Sequence, residues 1–164
     1  MSKDLEITYP FTTSCGKDYL ISFSKFKCLD SYKFDLPVIN LDLILTSEVG
    51  SKNDCLKLAD LKKITSVIVG YISTHDVALY YYCDTKPIPH KISTRNSHKL
   101  PQEYRCDLFG TLFDHCDNRD RFVKHDIDIK DPSNGRHFIS LISKLEHKTQ
   151  LTRISQTIES ENKK

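Results

Sequence analysis

Residues 7–13 and 19–26 are predicted to form two β-strands. In the second, Tyr19, Ile21 and Phe23 alternate with Leu20, Ser22 and Ser24, a period near two. A strand sends successive side chains to opposite faces, which is what that period records. Ser14, Cys15, Gly16 and Lys17 lie between them, and a short polar link with a glycine predicts a hairpin. A polar, aspartate-containing stretch follows from Leu29 to Asp35. Residues 37–46 predict a third strand. Val38, Asn40, Asp42 and Ile44 fall on one face, and Ile39, Leu41, Leu43 and Leu45 on the other. The second face is wholly apolar and is expected to meet the core.

The period then lengthens. Ser51 and Asp54 fit the S-x-x-D pattern of a helix start. Leu58, Leu61, Ile64, Ile68, Tyr71 and Ile72 recur at three- and four-residue spacing, predicting a helix over 55–73. Residues 77–84 are apolar and aromatic on both alternating sets, as in a central strand buried on both faces. Pro87, Pro89 and Pro101 punctuate a long aperiodic loop over 85–101. Residues 102–116 predict a second helix, with Tyr104, Leu108, Leu112 and Cys116 on one face and Phe109 and Phe113 beside it. Residues 121–129 and 136–145 predict an antiparallel pair joined through Asp131, Pro132, Ser133, Asn134 and Gly135. A last helix, from about Lys148 to Glu159, has a modest apolar face of Leu151, Ile154 and Ile158. The order β-β-β-α-β-α-β-β-α predicts a single α+β domain over 1–164, with a mainly antiparallel sheet and helices packed mostly on one face. The ends, about 1–5 and 160–164, are expected to fray.

Composition narrows the classes. With 38% hydrophobic and 28% charged residues, 5 Gly and 6 Pro, the chain is neither collagen-like nor low-complexity nor wholly disordered. No apolar run approaches the roughly 18 residues of a membrane span. A net charge of +2 is too balanced for a generic nucleic-acid binder, so that partner is not favoured. The charge is uneven, however. Residues 84–105 carry Lys86, Lys91, Arg95, Lys99 and Arg105 against Asp84 and Glu103, while 106–130 are net acidic. The start of the chain has no apolar signal segment, and the six cysteines form no C-x-x-C pair. A cytoplasmic location with reduced thiols is expected. Cys55 and Cys83 sit among apolar neighbours and are expected in the core. Zinc held by Cys106, His115, Cys116 and His125 is disfavoured, because ten residues of helix separate the two thiols by about 15 Å. His75, His115, His125 and His147 are expected at the surface, and no metal or cofactor is expected.

The chain has no P-loop, G-x-G-x-x-G, G-x-S-x-G or H-E-x-x-H motif. The best candidate site begins where the central strand ends at Asp84. The long loop adds His90, Arg95 and His98, and the next helix places Arg105 one turn in. Helix N-termini and arginine forks suit anions, so an anionic small molecule or an acidic partner surface fits these residues. The competing reading is structural: Asp84 accepts from the following backbone in an Asx-turn, and Arg105 locks strand to helix. For Tyr80, Tyr81 and Tyr82, core packing competes with base stacking.

Tyr82-Cys83-Asp84, then Arg105-x-x-Leu108-Phe109-x-x-x-Phe113, resembles an uncharacterised family of small bacterial cytosolic proteins, a domain of unknown function. Its members share a Y-x-C-D strand end and an R-x-x-L-F-x-x-[WFL]-F helix. The resemblance implies a compact domain of bacterial or mobile-element origin and no assigned activity. This chain has a longer link between Asp84 and Arg105. The leading functional expectation is a non-enzymatic protein-interaction module, using the exposed edge of the closing hairpin and the basic loop. The alternatives are an enzyme or sensor for a phosphorylated small molecule or nucleotide at Asp84/Arg105, and nucleic-acid binding through 84–105. A homodimer is the default assembly for a small soluble protein.

Overall fold

The computed structural model describes residues 4–46, 56–86 and 94–163. The period-two segments become β1 (Ile7–Thr12), β2 (Asp18–Lys25), β3 (Val38–Leu45), β4 (Ala78–Cys83), β5 (Phe122–Asp131) and β6 (Gly135–Lys144). The helical segments become α1 (Leu58–Thr74), α2 (Pro101–Asp114) and α3 (Lys148–Glu161). Each lies within a few residues of its expected bounds, and α3 continues past the point where fraying was expected. Ser51, Asp54 and Cys55 lie outside the described residues. Gly16 sits in the predicted β1–β2 turn at φ 84°, a conformation that favours glycine.

The sheet has six strands in the order β1-β2-β3-β4-β6-β5. All neighbours are antiparallel except β3 and β4, which run parallel. Parallel neighbours need a long crossover, and α1 supplies it. The mainly antiparallel α+β domain is therefore as expected.

Strand parity sorts the side chains into two cores. Ile21, Phe23, Ile39, Leu41, Leu79 and Ile142 meet α1 and α2 on one face. The Phe23 ring stacks on Tyr71 of α1 at 3.8 Å. Ala78, Ile127, Ile139 and Leu141 meet Leu151, Ile154 and Ile158 of α3 on the other face. Two helices thus share a face, and the third closes the β4-β6-β5 half of the opposite one. Leu29 and Leu36, from the link between β2 and β3, join α3 in that second core. That link is polar in sequence, yet its few apolar residues are what position it.

α2 departs from its expected face. Its buried residues are Gln102, Cys106, Gly110 and Phe113, whereas Tyr104, Leu108 and Leu112 are only half-buried. Close approach to the sheet explains the difference. A β-carbon at Gly110 would stand 3.1 Å from Lys124 Nζ, and Gln102 Nε2 donates to the Arg136 carbonyl at 2.9 Å. Small and hydrogen-bonding residues fit that contact better than a row of leucines. His75 is a second correction. It is buried, not superficial: its ring stacks on Tyr71 at 4.3 Å and its Nδ1 lies 2.9 Å from the Tyr71 carbonyl. The same carbonyl also accepts the His75 backbone N–H at 3.1 Å and the Thr74 hydroxyl at 3.1 Å, so the ring closes the C-terminal turn of α1.

Candidate functional site

The site is built outward from β4. Tyr81 and Cys83 point to the α2 side of the sheet, and Tyr80 and Tyr82 to the α3 side. Tyr81 packs on Phe109 with ring centroids 4.6 Å apart, and burial pushes its hydroxyl pKa well up. Tyr80 stacks on Phe26 at 4.0 Å, and burial pushes its hydroxyl up to about 12. Tyr82 remains 37% exposed, with its hydroxyl 2.8 Å from His137 Nδ1 on β6. The tyrosine run is therefore divided between core packing and an open surface.

That surface is the floor of a groove of about 860 Å³. Tyr80 and Tyr82 form the floor with His137 and Ile139 of β6 and Ile129 of β5. Leu29 and Tyr32 of the β2–β3 link line one side, and Ile158 and Glu161 of α3 another. The Tyr32 hydroxyl donates to Glu161 Oε1, joining the link to the end of α3. This hydrogen bond, followed by burial and the carboxylate charge, raises the Tyr32 pKa. The β5–β6 turn brings Asp131 to the groove, where its carboxylate accepts from Ser133 N at 2.8 Å and Asn134 Nδ2 at 2.9 Å. Those bonds, the Asn134 one foremost, hold its pKa below the usual carboxylate range. The groove offers apolar and aromatic surface with a few placed polar groups, the chemistry of a binding site.

The sequence-predicted residues lie elsewhere. Asp84 follows β4, and its Oδ1 accepts from Lys86 N at 3.0 Å in an Asx-turn. Arg105, one turn into α2, donates from Nη1 to the carbonyls of Asp84 at 2.7 Å and Lys86 at 2.5 Å. The structure brings these two together through the backbone, so the guanidinium ties the end of β4 to α2. Arg95 and His98 are exposed, within and just after the turn Thr94–Asn96. Among the described residues no hydrogen bond or ion pair joins either to Asp84. His90 lies outside the described residues. Arg105→Ala is expected to lower the unfolding free energy by about 2 kcal/mol, since it leaves two carbonyls without a charged donor. Urea denaturation checks this, and an unchanged midpoint would release the guanidinium for ligand binding.

The cysteine and histidine candidates do not converge. Cys106 is buried on the sheet-facing side of α2, while His125 belongs to the β5 set that faces α3. Cys83 is buried in the core as expected. Its hydrogen bond to Cys106 and its burial push its thiol well up, so it stays protonated. Among the described residues, Asp76, Glu146 and His147 do come together at the surface. Lys144 Nζ, 2.7 Å from Asp76 Oδ1, already supplies a cation there.

Comparison with family models, curated proteins and solved structures finds no match to this chain. The site is therefore interpreted from its own chemistry. Sequence reasoning missed Tyr32, His137 and Glu161. Tyr82 and His137 are 55 residues apart, and only the β4–β6 register makes them neighbours. The signal present in the sequence was a tyrosine near the end of an apolar strand, since a tyrosine hydroxyl needs a polar partner.

Proposed function

We propose that the protein is a cytosolic, non-enzymatic protein-binding module, and that the groove takes a short segment of its partner. The carrying observation is Tyr82, which stays open to solvent on the floor of a groove large enough for several side chains. Aromatic residues set in a pocket are the usual anchors of a protein interface. The sheet edges fit this role less well. Pro10 removes a donor from β1, and β5 carries Lys124, Asp126 and Asp128 along its length. The basic segment is a weaker candidate too, because Arg105 is committed to backbone carbonyls. Cys83 and Cys106 are buried as thiols, in keeping with a reducing compartment. Among the described residues no helix is long and apolar enough to cross a membrane. Membership of the family resembled by the Tyr82-Cys83-Asp84 and Arg105 motifs belongs to the same proposal. In that reading the motif residues serve as anchors of the fold.

Selection from a peptide display library, followed by calorimetry on the winning peptide, tests the proposal. Tyr82→Ala is expected to weaken binding by at least about tenfold, roughly 1.4 kcal/mol, while leaving the denaturation midpoint nearly unchanged. Failure to select any peptide, or binding indifferent to Tyr82, would overturn it. Native mass spectrometry on gently purified protein supplies the competing outcome: a retained nucleotide or metal would favour a small-molecule role.

A further inference from the structure

We infer that the groove is selective for a basic segment, and that it receives an arginine or lysine side chain of the partner. This rests on the binding-module reading and adds the chemistry of the occupant. Three features of the groove favour a cation. Its α3 side is the C-terminal end of that helix, the negative pole of the macrodipole, and the last turn contains no basic residue. Two carboxylates, Glu161 and Asp131, line it from different elements. The surface between them is aromatic, with Tyr82 and Tyr32 both more than one-third exposed. Ring faces attract a cation that is losing its water.

Two groups oppose this. His137 lines the floor, but its Nδ1 is engaged by the Tyr82 hydroxyl. Lys163 also lines the groove, two residues past the end of α3. The same neighbourhood already accommodates a guanidinium, since Arg153 of α3 lies over the Phe34 ring at 5.9 Å, and Phe34 stacks with Tyr32. Arginine is favoured over lysine because its planar fork both stacks on a ring and pairs with a carboxylate.

The test uses the full chain, labelled with nitrogen-15, and acetylated, amidated Gly-Leu-Xaa-Leu-Gly peptides with Xaa as Arg, Lys, Leu or Glu. Amide shifts at Tyr82, Ile139 and Glu161 report binding. The arginine peptide is expected to bind about fivefold tighter than the leucine peptide, and more weakly as salt is raised. Glu161→Gln keeps an acceptor for the Tyr32 hydroxyl and removes the charge. It is expected to weaken the arginine peptide more than the leucine peptide and so to erase most of that advantage. Leucine or glutamate peptides binding as tightly as arginine would overturn the inference and leave the groove reading standing. No shift in the groove with any peptide at millimolar concentration would overturn both.

Discussion

Phe23→Ala is expected to lower the unfolding free energy by about 3–5 kcal/mol, the largest loss from any single substitution considered for this protein. Phe23 sits in β2, is 1% exposed, and is held from two sides. Its ring stacks on Tyr71 at an interplanar angle of 9°, and Tyr9 of β1 meets it edge-on at 5.9 Å. Truncation removes the contact between α1 and the β1–β2 hairpin at its centre. The cavity cannot close easily, because Tyr71 is fixed at its far end by donating its hydroxyl to the Leu5 carbonyl at 2.7 Å. Domains are stable by only about 5–15 kcal/mol, so the loss removes between roughly a fifth and all of that margin. A melting temperature lower by about 6–20 °C is the corresponding thermal readout. A loss below about 1 kcal/mol in urea would mean that this interface does not hold the fold together.

The second large effect comes from a buried charge. Asp60→Ala is expected to cost about 2–4 kcal/mol at neutral pH. Asp60 is 1% exposed in the first turn of α1. Its carboxylate accepts from Ser14 N at 2.9 Å, Ser14 Oγ at 3.1 Å and Lys57 N at 3.1 Å. One side chain thus caps α1 and clamps the β1–β2 turn against it. Burial alone would push its pKa up. The backbone donors Ser14 and Lys57, the Ser14 hydroxyl and the Lys63 charge outweigh burial and hold it below the ordinary value. A carboxyl depressed in the folded state stabilises above its unfolded pKa, and that stability is lost as pH falls through the folded value. The difference between wild type and Asp60→Ala is therefore expected to be constant near neutrality and to shrink below about pH 4. Asp76, lowered chiefly by its hydrogen bonds from Lys144 and His147, loses stability in the same direction. Urea titrations at neutral and acid pH measure this, and a gap that widens on acidification would contradict the assignment.

These two residues differ in how visible they were. Phe23 belongs to an alternating pattern that any strand on a core must show. Asp60 lies in a helical stretch where an acidic residue in the first turn is ordinary, and its partner Ser14 is 46 residues away. The candidate site divides the same way. Asp84 and Arg105 stood out because charge at the end of an apolar strand is conspicuous, and the structure shows them meeting through backbone carbonyls. The groove escaped notice because its residues come from β4, β5, β6, the β2–β3 link and the end of α3. No local pattern joins those segments.

What the sequence determined by itself was local: nine elements in order, with bounds close to those observed, and the inward faces of β2, β3, α1 and α3. Periodicity is a property of neighbours along the chain, and burial of one face is enough to impose it. Tertiary structure alone decided the strand order, with β6 inserted between β4 and β5, and the placement of α3 opposite α1 and α2. It also decided the rotation of α2, where Gln102, Cys106 and Gly110, buried beside Phe113, carry little hydrophobic signal. The groove follows from those decisions. α3 covers only part of its face of the sheet, and Tyr82 and His137 are left beside its end by the register of two strands distant in sequence. Such surfaces arise from the packing of whole elements, a balance of many distant contacts that no window of sequence contains.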